Sequence, residues 1–154
     1  MSRLRARVDP GRLPREAGPG LDVPVEGPEA RRLIRVMRVR PGQPIQLFDG
    51  RGWACDGRVQ AVEGGRLVVR LTAAPFSDPD GPESSLRIVL VQAVAKAGRM
   101  ELALEKATEL GVAEIWPVIA RRCVARPGAG GERTRRWQRV VETAARQAGR
   151  WVVP

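Results

Sequence analysis

The sequence predicts a chain of two parts: a compact β-barrel with one small helix, then an incomplete α/β unit built on a parallel sheet. Three observations predict it. Strand-like runs between residues 45 and 71 are separated by short glycine-containing turns, the pattern of consecutive hairpins. A proline-rich, acidic stretch then interrupts that pattern. Beyond it, strands alternate with helices, as in a parallel sheet with crossover connections. The expected boundaries are 1–72 for the barrel, 73–85 for a linker and 86–154 for the α/β part.

In the first part, Pro28 opens a helix at a position where its missing N–H costs nothing. Leu33, Val36 and Met37 are its expected apolar stripe, Arg31, Arg32, Arg35 and Arg38 occupy the rest, and Pro41-Gly42 ends it. The strands expected next are Ile45–Phe48, Trp53–Val62 and Leu67–Leu71, turned by Asp49-Gly-Arg-Gly52 and Glu63-Gly-Gly65. Pro75, Pro79, Gly81 and Pro82, with three acids and little to bury, make the linker. In the second part, Leu86–Val91 suits a buried strand, and a helix runs from about Gly98 to Leu110 with Met100, Ala103, Leu104 and Ala107 inward. Gly111 terminates it. Ile115–Ile119 is a second strand. Trp137, Val140, Val141, Ala144 and Ala148 give Thr134–Ala148 the helical period, and Trp151–Val153 opens a third strand. Two helices for three strands leave the sheet short of cover, so this part is expected to be incomplete or completed by a partner chain.

Charge narrows the partners. The 154 residues carry 27 Lys+Arg against 17 Asp+Glu, a net charge of +10, which favours a polyanion. With 43% hydrophobic residues a core is affordable, so the chain is not a disordered basic tail. No run is long enough to span a bilayer, and the arginines near Met1 are followed by no apolar stretch of a secretory signal. Cys55 and Cys123 stand far apart and read as free thiols of a reducing compartment, by default the cytoplasm. There is no histidine and no tyrosine, which argues against a hydrolase or a metalloenzyme and leaves no metal site.

Several local patterns carry chemistry. The arginines of the 31–38 helix can neutralise phosphates, and the nearby acids are too few to pair with them; a solvated helix face is the alternative. The only two lysines, Lys96 and Lys106, flank one helix, by need for a compact charge or by chance. Glu101, Glu105 and Glu109 share one face of that helix and would repel each other unless a basic partner intervenes. Arg135, Arg139 and Arg146 of the next helix are the expected partners, ahead of acid/base or magnesium chemistry. Gly128-Ala-Gly-Gly131 lacks the further glycine of a dinucleotide loop and the lysine of a P-loop, so it reads as a connector. Phe48 and Trp53 could stack bases but more commonly such residues pack a core.

Three stretches, Gln92-Ala-Val-Ala-Lys-Ala-Gly-Arg-Met-Glu101, Glu105-Lys-Ala-Thr-Glu-Leu-Gly-Val112 and Arg136-Trp137 with Glu142-Thr-Ala-Ala-Arg-Gln-Ala-Gly-Arg150, resemble the ribosomal RNA small subunit methyltransferase E family. Val152-Val-Pro154 resembles that family's next strand. Arg35-Val-Met-Arg38 with Gly42, and Leu47-Phe-Asp-Gly50, resemble its N-terminal barrel. The resemblance implies a PUA-like RNA-binding β-barrel followed by a SPOUT-type methyltransferase domain. It implies a cytoplasmic homodimer that transfers a methyl group from S-adenosylmethionine to N3 of a uridine in small-subunit ribosomal RNA. Where Arg31 and Arg32 stand the family often has histidines; arginine serves RNA equally. The glycine-rich loop and the Leu-Arg-x-Glu-Thr-Ala segment that form the family's knotted donor site have no counterpart in these residues. The resemblance therefore predicts no cofactor-binding residue in this chain, a donor site beyond Pro154, and no activity from the 154 residues alone. Methylation of a uracil needs stabilisation of an anionic ring, for which Lys96, Arg99 and Arg121 are the candidates. Arg5, Arg31, Arg32, Arg35 and Arg38 are the candidate RNA contacts. A non-catalytic ribosome- or RNA-binding module and a structural dimerisation fragment remain as alternatives, which a full-length gene sequence would separate.

Overall fold

The computed structural model describes residues 4–77, 81–121, 123 and 131–154, apart from the side chain of Ala97. Contacts divide the chain into two compact units, Met1–Gly81 and Pro82–Pro154.

The first unit is a curled, open half-barrel of five strands in the order β1-β3-β4-β5-β2. They are β1 (Arg5–Arg7), β2 (Asp22–Val25), β3 (Pro44–Phe48), β4 (Ala54–Glu63) and β5 (Arg66–Leu71), with α1 (Gly27–Arg35) between β2 and β3. Only β1 and β3 run parallel. The two expected hairpins form. Gly64 and Gly65 take φ of 55° and 80°, the left-handed pair that a two-residue hairpin loop requires. At the other turn Asp49 Oδ1 accepts bonds from the N–H groups of Arg51 and Trp53. Strand alternation sends Val23, Val25, Ile45, Leu47, Val59, Leu67, Val69 and Leu71 to one core, closed by Ala30 and Leu33 of α1. Gly57 lies where β4 and β5 touch: a Cβ there would sit 2.7 Å from Val69 Cγ1 and 2.8 Å from the carbonyl oxygen of Arg70.

The apolar stripe expected on α1 is corrected. Leu33 is fully buried, but Val36 is 72% and Met37 52% exposed. The helix ends at Arg35 and the chain turns through Arg38 at φ 50°, so Val39 takes the place in the core. Its N–H reaches back to the carbonyl of Leu33. Phe48 is buried, as the packing alternative expects.

In the second unit β6 (Val89–Ala93) and β7 (Glu114–Val118) pair in parallel, joined by α2 (Ala97–Glu109) and followed by α3 (Glu132–Gln147). The first strand lies two to three residues later than expected, because register with β7 sets its bounds; Leu86 and Ile88 are exposed before it. Met100 and Leu104 of α2 pack with Trp137 and Val141 of α3 and with Ile115 of β7. Both helices therefore cover one face of the sheet. By register, Val89, Val91, Trp116 and Val118 share the other face, and all four are exposed. Ala148 is exposed rather than inward, since α3 ends before it. The expected third strand is a single bridge at Val152.

The segment read as a spacer is tied at both ends. Phe76 exchanges two backbone hydrogen bonds with Ala54 in the first unit. In the second, Glu83 accepts bonds from Arg150 Nε and Nη2 and from the N–H groups of Trp151 and Val152. The other arm of Arg150 donates to the carbonyls of Thr108 and Val112.

Candidate nucleic-acid interface and the sheet's carboxyl edge

The arginine-rich helix is divided by its amphipathicity. Arg31, Arg35 and Arg38 are exposed, and none has an ion-pair partner among the described residues. Arg40, just past the helix and missed by the sequence reading, is exposed as well. Its signal was continued arginine density across the helix stop. Arg32 is half-buried: it grips Glu29 at 2.8 Å and donates to the carbonyl of Arg5. It fastens α1 to β1 and is only partly available to a ligand. Arg5 is a correction. Its side chain is buried, with the guanidinium 4.8 Å above the Phe48 ring and Nε donating to Gln46 Oε1. Parallel pairing of β1 with β3 places Arg5 beside Gln46 on one face of the sheet, where it covers the Phe48 ring. Trp53 is partly exposed, with Arg15 stacked 4.9 Å from its ring centre.

In the second unit, topology assembles the other candidates. Lys96 and Arg99 follow the carboxyl end of β6, and Arg121 follows that of β7; parallel strands put both ends on one edge. The edge is continued by the Val94 N–H bonding the Val118 carbonyl. Lys96 is the N-cap of α2, so its charge adds to the positive end of the helix dipole. All three side chains are exposed. Carboxyl edges of parallel sheets are where such folds hold ligands. Of the glycine connector, only Gly131 is among the described residues; it caps α3 at φ 65°.

The acidic stripe is paired, as expected, but with other partners. Glu101 binds Arg136 across the helices at 2.7 Å, whereas Glu105 and Glu109 both bind Lys106 on their own helix. The bonds to Glu109 and Glu105 raise the Lys106 pKa well above its ordinary value. The stripe is thus structural, and Lys106 serves it. Among the described residues, no three His, Cys, Asp or Glu side chains are grouped to hold a metal, and no helix is long and apolar enough to cross a membrane. Both cysteines are free, and burial pushes the Cys55 thiol up to about 11.

Comparison with known proteins follows the same division. A family model described as an RNA methyltransferase PUA domain matches residues 25–72, and one described as an RNA methyltransferase domain matches 82–154. The ribosomal RNA small subunit methyltransferases E of Mycobacterium bovis and Mycobacterium tuberculosis are each 38% identical over 136 residues, 84% of this chain and 49% of theirs. The chain belongs to the ribosomal RNA small subunit methyltransferase E family. Among solved structures, the family enzyme of Neisseria gonorrhoeae, bound to S-adenosylmethionine, superimposes with a TM-score of 0.84 at 35% identity, covering 99% of this chain and 60% of that one. A Legionella pneumophila protein solved with the same cofactor gives 0.85 at 28% identity, covering 100% and 61%. The chain spans about half the length of the curated relatives it matches. Family and two-part fold are thus as the sequence resemblance implied.

Proposed function

We propose that this chain supplies the RNA-recognition unit and the front of the catalytic domain of a homodimeric, cytoplasmic, SPOUT-type enzyme. It would use S-adenosylmethionine to methylate N3 of a uridine in small-subunit ribosomal RNA. The observation that carries the reading is the set of exposed guanidinium groups of Arg31 and Arg35 on α1 and Arg38 just past it, without ion-pair partners among the described residues, in a unit that matches an RNA methyltransferase PUA domain. Each can displace a condensed counterion from a phosphate, giving salt-dependent affinity.

Two relatives hold S-adenosylmethionine, but no described residue here can be assigned to grip it, and the face bearing Val91 and Trp116 is open. The chemistry these residues can perform is confined to the RNA. A uracil that has lost its N3 proton carries negative charge on its ring oxygens. Lys96, Arg99 and Arg121 lie on one electropositive edge where that charge would be stabilised by preorganised cations.

Replacing Arg31, Arg35 and Arg38 together by Ala should weaken binding to ribosomal RNA and flatten log K against log salt by up to about three phosphate contacts. An unchanged slope overturns the phosphate reading. Calorimetric titration of the 154 residues with S-adenosylmethionine should show no heat; micromolar binding would place a donor site within them.

A further inference from the structure

Val36 and Met37 are out of place on physical grounds. They are two adjacent large apolar side chains, 72% and 52% exposed, just past the end of a helix whose apolar residues pack on the core: Ala30 and Leu33 are fully buried and Ile34 partly so. They stand within a run of four exposed arginines, Arg31, Arg35, Arg38 and Arg40. Arg38 itself holds φ 50°, a left-handed position at a helix end where glycine would relax. A side chain kept where backbone strain opposes it points to a use outside the fold. We propose that Val36 and Met37 form an apolar wedge that receives the face of one unstacked base, with the arginines holding the flanking phosphates. The RNA this surface selects is then looped or bulged rather than continuous duplex. The inference rests on the phosphate-binding reading of the arginines and adds the substrate class.

The chemistry of the two RNA forms decides it. A continuous duplex offers phosphates, riboses and base edges, but its base faces are stacked away. Only an unpaired nucleotide presents a flat apolar surface that can bury valine and a polarisable thioether. Apolar side chains, methionine among them, serve as such wedges between bases. Charge argues against a second copy of this chain as the occupant, because like-on-like docking of this patch would oppose the same four guanidinium groups. The nearest acids are already engaged, Glu29 by Arg32 and Glu26 by Arg12.

The test compares a stem-loop RNA with a perfect duplex of matched length, by fluorescence anisotropy on the full chain at fixed salt. Val36→Ser with Met37→Ser should weaken stem-loop binding by about tenfold, the scale of losing the apolar contact of two aliphatic side chains. Duplex binding and the salt slope should be unchanged. Val36→Leu with Met37→Leu should bind like the parent chain. Both pairs alter exposed side chains, so thermal melts should coincide. Equal loss on both RNAs, or no loss on the stem-loop, overturns the wedge. If Arg31, Arg35 and Arg38 to Ala weakens binding while the serine pair does not, only the wedge fails; if neither does, the phosphate reading has failed. A serine pair that changes the sedimentation coefficient and leaves RNA affinity alone assigns the patch to self-association and also overturns it.

Discussion

Glu83→Ala should destabilise the second unit far more than its position in an acidic, proline-rich stretch suggests. The Glu83 carboxylate takes four hydrogen bonds, at 3.0 and 2.7 Å from Arg150 and at 2.7 and 2.9 Å from the N–H groups of Trp151 and Val152. Deleting one partner of a buried ion pair costs about 3–5 kcal/mol, because the other charge stays behind. The Arg150 side chain is 4% exposed and that of Glu83 24%, so water can partly refill the vacated site. We therefore expect a loss of about 2–4 kcal/mol. Urea unfolding followed by the fluorescence of Trp137 and Trp151, both buried, reads the total. Amide exchange at Trp151 and Val152 reads the local part, and both should lose protection. Adding Arg150→Met to Glu83→Ala removes the stranded charge and should recover part of the loss, but not all. The carbonyls of Thr108 and Val112 and the two N–H groups would still lack these bonds. A loss below about 1 kcal/mol, or a double variant as unstable as the sum of its singles, would refute the reasoning.

Three further outcomes are expected. The folded Cys55 thiol is raised from 9.0 to about 11 by burial, so the folded state holds its proton more tightly. That stabilisation is complete below pH 9 and lost as pH rises through about 11; Cys55→Ala should flatten stability across this window, which no tyrosine shares. Gly57→Ala should lower stability by about 1–3 kcal/mol in thermal melts, since the new methyl meets a β5 carbonyl that cannot step aside. A double-mutant cycle on Glu101 and Arg136 should give coupling of about 0.2–1 kcal/mol, and one on Glu105 and Arg139 none.

The residues that repeat a short local pattern were legible. Asp49–Gly52 and Glu63–Gly65 specify their turns through glycines at left-handed φ and an aspartate that caps the backbone, and the structure builds both. Trp137, Val141 and Ala144 announce α3 by their spacing. Arg5 was misread because its partners, Gln46 and Phe48, are some forty residues away and become neighbours only by parallel pairing of β1 with β3. The partner of Glu101 was misread for a related reason. Periodicity gives each helix its stripes but not the rotation at which two helices meet, and that rotation brings up Arg136 instead of Arg135 or Arg139.

The sequence by itself determined the order of elements, the division into a β unit and an α/β unit, the basic character and the family. These depend on near neighbours in the chain and on composition, which folding does not alter. Tertiary structure alone decided which arginines remain free. The same guanidinium group is a core cover at Arg5, a clamp at Arg32 and an exposed cation at Arg35, according to what burial and hydrogen bonding leave available. It also decided that Glu83 anchors the segment around Arg150, and that Val36 and Met37 lie outside the core. A helix that stops one residue short of its expected stripe exchanges the inside for the outside, and only packing sets where it stops.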